Sequence, residues 1–216
     1  MPGTTTRLCD SLLAAGLLLL TGCLSVPREE PAAIHTFVLS PDPAEQRAAV
    51  ESHGAGAPVL LLNLPLARPG FDSARMAYVK RPHELAYYAT HQWADAPARM
   101  LRSLLLLQLE RGAAWQAVVA LPSAVRGDYR LDVDQVELVQ EFLQQPSRVR
   151  LSLRAQLLKL PDYHIVGTRE FEAAEPASSE DAYGGVMAAN RAVARLLTDL
   201  QGWLTGCTNG ATRSSC

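Results

Sequence analysis

The chain has 216 residues, of which 48 % are hydrophobic and 19 % charged, and its formal net charge is −2. This composition is typical of a globular protein of about one domain and excludes a disordered or collagen-like chain. The 20 Lys and Arg are outnumbered by 22 Asp and Glu, and no basic run occurs, so the sequence offers no nucleic-acid-binding surface.

The N-terminus resembles a bacterial lipoprotein signal. Arg7 precedes the apolar run Leu12–Leu20. This run is too short to cross a hydrocarbon layer of about 30 Å but has the length of a secretory h-region. The alternative, a short core helix, is disfavoured because Leu17–Leu20 has no polar face. Leu20–Cys23 resembles the lipobox, so we expect residues 1–22 to be a signal peptide and Cys23 to carry acyl chains such as palmitate.

The residues after Cys23 predict where the lipidated chain is held. In similar bacterial lipoproteins, Asp after the Cys usually retains the protein in the inner membrane, so Leu24 implies export to the outer membrane. The expected location is the periplasmic face of that membrane. Residues 23–33 contain Pro27, Pro31 and three charges, which predicts a short tether. Residues 34–205 would form the folded domain.

The polar tail, residues 206–216, contains two cysteines. In an oxidising compartment Cys207 and Cys216 could form a disulfide that closes a short loop, or they could remain free thiols. A metal or redox pair is less favoured, because no second Cys or His pair accompanies them.

The first half of the domain predicts short strands. Residues 34–39 form a strand that Pro41 and Pro43 stop, and residues 40–57 form a polar loop. The continuous apolar run 58–64 is typical of a strand buried on both faces. Two short strands, 76–80 and 85–89, then surround a turn.

The first helix is predicted from Asp95 as N-cap, with Pro97 in its first turn, to about Arg111. Gly112 fits the left-handed position that follows many helices. Because the helix is apolar nearly all round, we expect it to be deeply buried. A strand over 115–121 follows.

The second half predicts an antiparallel meander and a final helix. Residues 129–142 form a long strand whose alternation slips between Val133 and Val136, which indicates a bulge. Strands over 149–157 and 163–171 follow. Ser178 with Asp181 resembles a capping box for a helix whose apolar stripe includes Met187 and which Gly206 closes. The expected class is α+β: a mixed, largely antiparallel sheet packed against two main helices in a single domain.

Catalytic and metal-binding motifs are missing from the sequence. None of the five His has metal-ligand spacing to another His or Cys, and a His83–His91 pair is less favoured than surface histidines. Asp132 is better explained as a structural contact than as part of a calcium loop. Close packing explains Gly184-Gly185 better than an anion site does. We therefore predict no catalytic residue, no metal and no cofactor, and a protein that is not an enzyme.

Residues 78–93 are unusually aromatic, with four of the chain's 13 Phe, Trp and Tyr residues. Aromatic and Arg side chains are enriched in protein–protein hot spots. We predict Arg81, Tyr87 and Tyr88 as partner contacts and place Trp93 in the core at the entry of the first helix. The alternative is that the segment is ordinary core and surface.

These motifs, in this order, resemble the ABC-type transport auxiliary lipoproteins, the paraquat-inducible protein C group. The similarity runs from about Ile34 to Leu204, and Phe37 departs from the paired Tyr that is common there. The residues that carry it are Leu20–Cys23, His35–Leu39, Leu64-Pro65, Met76–Arg81, Leu85–Tyr88, Trp93–Asp95, Leu131–Val133, Ala189-Asn190 and Trp203.

The resemblance implies a non-enzymatic subunit of an MCE-type transport system. Such systems combine a permease, an ATPase and a periplasmic MCE protein, and move phospholipid or other lipophiles between the inner and outer membranes. The expected partners are the MCE protein and, through the lipid anchor, the membrane; self-association stays open. Two alternatives remain: an outer-membrane lipoprotein that assists envelope assembly without transport, and a small periplasmic hydrolase, for which no nucleophile–base pair is evident.

Overall fold

The computed structural model describes residues 32–40, 56–160, 162–208 and 216. The predicted signal peptide, Cys23, most of the tether, most of the 40–57 loop and residues 209–215 of the tail lie outside the described residues. The described residues contain eight strands and two helices. They are β1 (His35–Phe37), β2 (Val59–Leu62), β3 (Arg75–Val79), β4 (Leu85–Trp93), α1 (Pro97–Arg111), β5 (Ala117–Ala120), β6 (Tyr129–Glu141), β7 (Arg148–Lys159), β8 (His164–Pro176) and α2 (Ala182–Thr208).

All the described strands belong to one mixed, curled sheet with β6 at its centre. One edge of β6 pairs antiparallel with β7, and β7 pairs antiparallel with β8. The other edge is shared: residues 129–131 pair in parallel with β2, and residues 139–141 pair in parallel with β3. Beyond these lie β5 next to β2, and β4 and then β1 next to β3.

The predicted bulge in β6 is confirmed. The register with β7 shifts between Asp134 and Glu137, and Gln135 has a φ of 54°. A bulge bends its strand and strengthens the local twist. The bend separates the stretch of β6 that pairs with β2 from the stretch that pairs with β3.

The core lies between the concave sheet and the two helices. Side chains of β7 alternate as predicted, and Leu151, Ala155 and Leu157 have no solvent exposure. The buried face of α2 begins with small residues, Gly184, Gly185, Ala188, Ala189 and Ala192, which let its backbone approach the sheet closely. The predicted α+β class is confirmed.

The ends of α1 differ from the prediction. The N-cap is Ala96, and no side chain caps the helix. Asp95 instead accepts a hydrogen bond from the Ala96 amide (2.7 Å) and forms an ion pair with Arg99. Gly112 is extended (φ −78°, ψ 138°) rather than left-handed. Its lack of a side chain matters for packing, because an added Cβ would lie 2.5 Å from Nε2 of Gln201.

The expected burial of α1 on all sides and three details of α2 are also wrong. Leu107 in α1 is 45 % exposed, and Met187, placed in the buried stripe of α2, is 42 % exposed. Asp181, and not Ser178 as predicted, caps the second helix: the helix begins at Ala182, and the Asp181 carboxylate accepts a hydrogen bond from the Gly184 backbone amide at 2.7 Å. It continues past Gly206, which an exposed helix interior tolerates at modest cost.

The C-terminal cysteines, Cys207 and Cys216, form a disulfide with a Cα–Cα distance of 5.3 Å. The disulfide brings the last residue beside Gly167 in β8, where an added Cβ would lie 2.8 Å from the carbonyl oxygen of Cys216. The sequence left open a disulfide or two free thiols, and the structure has the disulfide, which we call the C-terminal staple.

Candidate docking surface

The aromatic segment of residues 78–93 forms the β3–β4 hairpin and its turn. Ala77 lies opposite Tyr87 and Tyr78 opposite Ala86 in the antiparallel register. Because successive strand residues point to opposite faces of a sheet, Tyr78 and Tyr88 share one face and Tyr87 lies on the other. The hairpin therefore separates two of the three residues that the sequence grouped as partner contacts.

Tyr88 is half-buried and tied to the core. Its ring lies 4.9 Å from that of Tyr78 and 5.8 Å from that of His91 between centroids. Its hydroxyl donates to Oε1 of Gln140 at 3.0 Å. Burial raises the pKa of Tyr88 above its ordinary value, and the charge of Asp181 raises it further. The phenol is therefore a neutral donor, and only part of its ring is available to a partner.

Tyr87 is held on the opposite face by a separate set of contacts. Its hydroxyl donates to the carbonyl of Gly70 at 2.8 Å, and the Arg75 guanidinium lies 3.6 Å from its ring centroid. This geometry is a cation–π contact. Gly70 has a φ of 90°, and an added Cβ would lie 3.3 Å from Leu85.

Arg81 lies at the exposed tip of the hairpin. Its side chain is 77 % exposed and pairs with Glu84 at 2.7 Å. Exposed ion pairs contribute little to stability. A partner can therefore compete for the guanidinium at low cost, and of the three predicted contacts Arg81 is the most accessible.

An open groove of about 490 Å³ runs beside the hairpin on the Tyr88 face, and Tyr87 also borders it. Tyr78, Tyr88 and Phe142 contribute aromatic surface, and the Tyr78 and Phe142 rings meet edge to face at 6.1 Å. Nζ of Lys80 lies 5.3 Å from the Tyr78 ring centroid, and Glu180 lines the groove as well. We use the name hairpin groove for the surface formed by Tyr78, Lys80, Tyr88, Phe142 and Glu180. Its aromatic floor and charged rim are the composition of a protein-binding surface.

The groove continues into a row of aromatic rings that the sequence did not predict. Successive ring centroids are 4.9 to 6.3 Å apart. No sequence signal joins the members, because the row forms only when β1 pairs with β4 and α2 begins beside them. In spatial order the row contains Phe142, Tyr78, Tyr88, His91, Phe37 and Tyr183.

Trp93 is a core residue, as predicted. It is 3 % exposed, and its amide donates to the carbonyl of Ala74 at 2.7 Å. It ends β4 four residues before α1 begins at Pro97, so it covers the entry of that helix.

The charged residues considered for other chemistry have structural contacts. Asp132 accepts hydrogen bonds from Arg130 and from the side-chain amide Nδ2 of Asn63 (3.2 Å). Gly185 lies where an added Cβ would be 2.2 Å from Gln140, which confirms close packing as the reason for a glycine there. Over residues 32–40, 56–160 and 162–208, no three His, Cys, Asp or Glu side chains come together as a metal site would require.

The sequence of residues 37–201 matches the family model described as "ABC-type transport auxiliary lipoprotein component". This match covers most of the chain. The chain belongs to this family of transport auxiliary lipoproteins. No curated protein matches it.

Two solved structures are similar to this auxiliary lipoprotein. The first is a Xanthomonas campestris protein assigned to the family DUF330. It is 27 % identical with a TM-score of 0.65, and the match covers 84 % of this chain and 98 % of that one. The second, an uncharacterised protein, is 12 % identical with a TM-score of 0.60, and covers 80 % and 99 % of the two chains. This second likeness shows the fold alone.

Two motifs of the family resemblance have clear structural roles in this auxiliary lipoprotein. Oδ1 of Asn190 accepts a hydrogen bond from the Ser40 amide at 2.7 Å, which fixes the chain after β1 against α2. Trp203 lies under the C-terminal staple, with its ring 5.6 Å from Phe171. In the part of the chain that the structure describes, neither helix is both long and apolar enough to cross a membrane.

Proposed function

We propose that this protein is the outer-membrane-anchored auxiliary subunit of an MCE-type ABC transport system that moves phospholipid or other lipophiles between the two membranes. Lipid chains on Cys23 hold it at the periplasmic face, residues 23–33 are the tether, and residues 34–205 are the domain that docks the MCE protein. The protein performs no catalysis and uses no metal or cofactor. The observation that carries the proposal is the family match over residues 37–201.

The anchor follows from the energetics of acyl chains. Burying a chain is worth about 0.8 kcal/mol per CH₂, and one chain alone binds reversibly, so several chains are needed for stable attachment. A lipidated N-terminal cysteine supplies several. A short tether then keeps the domain within reach of a partner that spans the periplasm.

Docking is assigned to the hairpin groove and the adjacent tip. Tyr78, Tyr88 and Phe142 are held by ring contacts and a hydrogen bond, so they lose little conformational entropy when a partner covers them. Lys80 and Arg81 provide exposed positive charge beside them. A partner segment with apolar side chains and a carboxylate fits this combination. Tyr87 borders the groove as well, and its hydroxyl fixes the hairpin through Gly70.

The docking assignment is tested with the two lysines of the chain, Lys80 and Lys159, both exposed. We expect Lys80→Glu to weaken capture of the purified MCE protein by about tenfold or more, because it reverses the charge at the rim next to Glu180. Lys159→Glu makes the same charge change at the far end of β7 and should bind as the unaltered protein does. Binding is measured by surface plasmon resonance on the detergent-solubilised, lipidated protein.

Two further variants distinguish the contributions of Arg81 and Tyr88 to capture of the partner. Arg81→Ala should weaken capture without changing the melting temperature, and Tyr88→Phe should retain capture because the ring stays in place. If Lys80→Glu and Arg81→Ala both bind normally, the docking surface lies elsewhere. If the unaltered protein does not capture the MCE protein at all, the envelope-assembly role replaces the transport role.

A further inference from the structure

A second groove lies between the two helices, on residues that the hairpin groove does not use. Leu104 and Leu107 of α1 and Ala194 and Leu197 of α2 form its apolar walls, and its volume is about 590 Å³. Leu107 is 45 % exposed within a helix whose neighbouring leucines, such as Leu105, are fully buried. Leu104 and Leu197 are only 8 % and 3 % exposed, so Leu107, together with half-buried Ala194, supplies most of the apolar surface that the groove presents to solvent.

The rim of this interhelix groove is positively charged. Its lining includes three arginines, Arg111, Arg191 and Arg195, against one carboxylate, Asp199. Next to the lining, the Glu175 carboxylate lies 3.7 Å from Arg191 and 3.5 Å from Arg195. These separations leave Arg191 and Arg195 incompletely neutralised, because close charged pairs are 2.7–2.9 Å apart.

Arg191 is held in a fixed position. Its Nη1 donates to the carbonyl of Met187 at 3.2 Å and its Nη2 donates to the carbonyl of Pro176 at 2.5 Å. A guanidinium that backbone carbonyls have already oriented loses little entropy when it binds an anion. Arg195, one turn further along α2, is 63 % exposed and can turn toward the same anion.

Size and chemistry define the occupant. Small-ligand sites have volumes of about 300–1,000 Å³, with mostly apolar walls and a few polar groups that fix orientation. A docked protein helix would instead need a contact of about 800 Å² on each partner. We propose that the interhelix groove binds one phosphate-headed amphiphile, with its hydrocarbon chain against Leu107 and Ala194 and its phosphate on Arg191 and Arg195.

The test uses dodecyl phosphate, below its micelle concentration, titrated by isothermal calorimetry into the unlipidated Cys23→Ala protein, which needs no detergent. We expect saturable binding of one molecule per chain that weakens as salt is added. Dodecyl maltoside has the same chain without the charge, and inorganic phosphate has the charge without the chain. Each should bind at least about tenfold more weakly, because each satisfies half of the site.

Variants assign the binding to this groove. Arg195→Gln, at an exposed position, should reduce affinity for dodecyl phosphate about tenfold, whereas Arg126→Gln, an exposed arginine outside the groove, should not. Leu107→Gln should also reduce it, and Leu143→Gln, at a position 51 % exposed, should not.

Three results would overturn the proposal. They are equal binding of inorganic phosphate, equal binding of dodecyl maltoside, and equal losses in the groove variants and their controls. Circular dichroism confirms that each variant is folded. Because no partner protein is present in this titration, its result is independent of whether the protein docks an MCE subunit.

Discussion

At the scale of single residues, the contacts of Gln140 connect the hairpin groove to the core. Gln140 accepts the Tyr88 hydroxyl and donates to Ser147 Oγ (3.2 Å) and to the carbonyl of Asp181 (3.1 Å). Each donor and acceptor of a buried side-chain amide needs a hydrogen-bond partner, because leaving one unpaired costs about 1–3 kcal/mol. The orientation of Tyr88 is therefore fixed by the same side chain that positions the start of α2.

Trp93 provides a stability prediction at this scale. Trp93→Ala should lower the free energy of unfolding by about 3–5 kcal/mol, because a large, fully packed ring leaves a cavity. Urea denaturation followed by circular dichroism measures the change. Arg81→Ala, at the exposed hairpin tip, is the control and should change stability by less than about 0.5 kcal/mol. A Trp93→Ala protein of unaltered stability would contradict the assignment of this ring to the core.

At the scale of elements, the close packing of the chain at the start of α2 depends on glycine. An added Cβ at Gly184 would lie 2.2 Å from the Ser179 carbonyl oxygen, which is backbone and cannot move aside. At Gly202, on the exposed side of the same helix, an added Cβ would have no atom within 4 Å. The same residue type therefore has opposite consequences at two positions of one helix.

This contrast gives a matched pair of substitutions. Gly184→Ala should destabilise the protein by about 1–3 kcal/mol because the helix start must shift. Gly202→Ala should stabilise it by about 0.5–1 kcal/mol, since alanine loses less backbone entropy in a helix. Thermal unfolding measures both. If both substitutions moved the melting temperature in the same direction, the close packing of the helix start would be wrong.

Where β6 pairs with β7, the carboxylate of Glu141 accepts hydrogen bonds from Arg148 and Arg150. Burial by itself would raise the pKa of Glu141, but hydrogen bonds from Arg150 and Arg148 outweigh it and hold the pKa below the ordinary 4.5. A carboxylate with a lowered folded-state pKa stabilises the protein above its unfolded pKa. That contribution is lost as the pH falls through the folded-state pKa.

We therefore expect the stability of the protein to be nearly constant from about pH 7 to pH 5 and to fall below about pH 4.5. Glu141→Gln should be less stable at pH 7 and should lose less stability on acidification. Urea titrations at a series of pH values measure both effects. Glu84→Gln, in the exposed pair with Arg81, is the control and should keep the full acid dependence. An identical acid loss in Glu141→Gln would refute the role of this group.

At the scale of the whole molecule, we expect location to depend on the proposed lipid anchor at Cys23 and not on the folded domain. Cys23→Ala should leave the chain unprocessed or release it into the soluble periplasm, because no acyl chain can be attached. Membrane fractionation and electrophoretic mobility measure this outcome. Cys9→Ala, within the expected signal peptide, should still be processed and membrane-bound. Normal processing and outer-membrane recovery of Cys23→Ala would rule out the anchor.

Several features were predictable from the sequence because a local pattern determines them. The alternation in β7 follows from the two-residue period of a strand, and the bulge in β6 from the slip between Val133 and Val136. The burial of Trp93 followed from its place before a helix. The order of the short motifs along the chain was sufficient to indicate the family, because it depends on the sequence alone.

Other features were decided only by the tertiary structure, because they depend on residues far apart in the chain. Alternation along the predicted strand already puts Tyr87 and Tyr88 on opposite faces, but only the pairing of β3 with β4 and β6 brings Tyr78 and Phe142 beside Tyr88. Leu107 lies in the groove between α1 and α2 and is 45 % exposed there, which the apolar pattern of α1 alone does not predict. Local patterns determine which face of an element is apolar, whereas long-range packing determines which part of that face remains open to a partner or ligand.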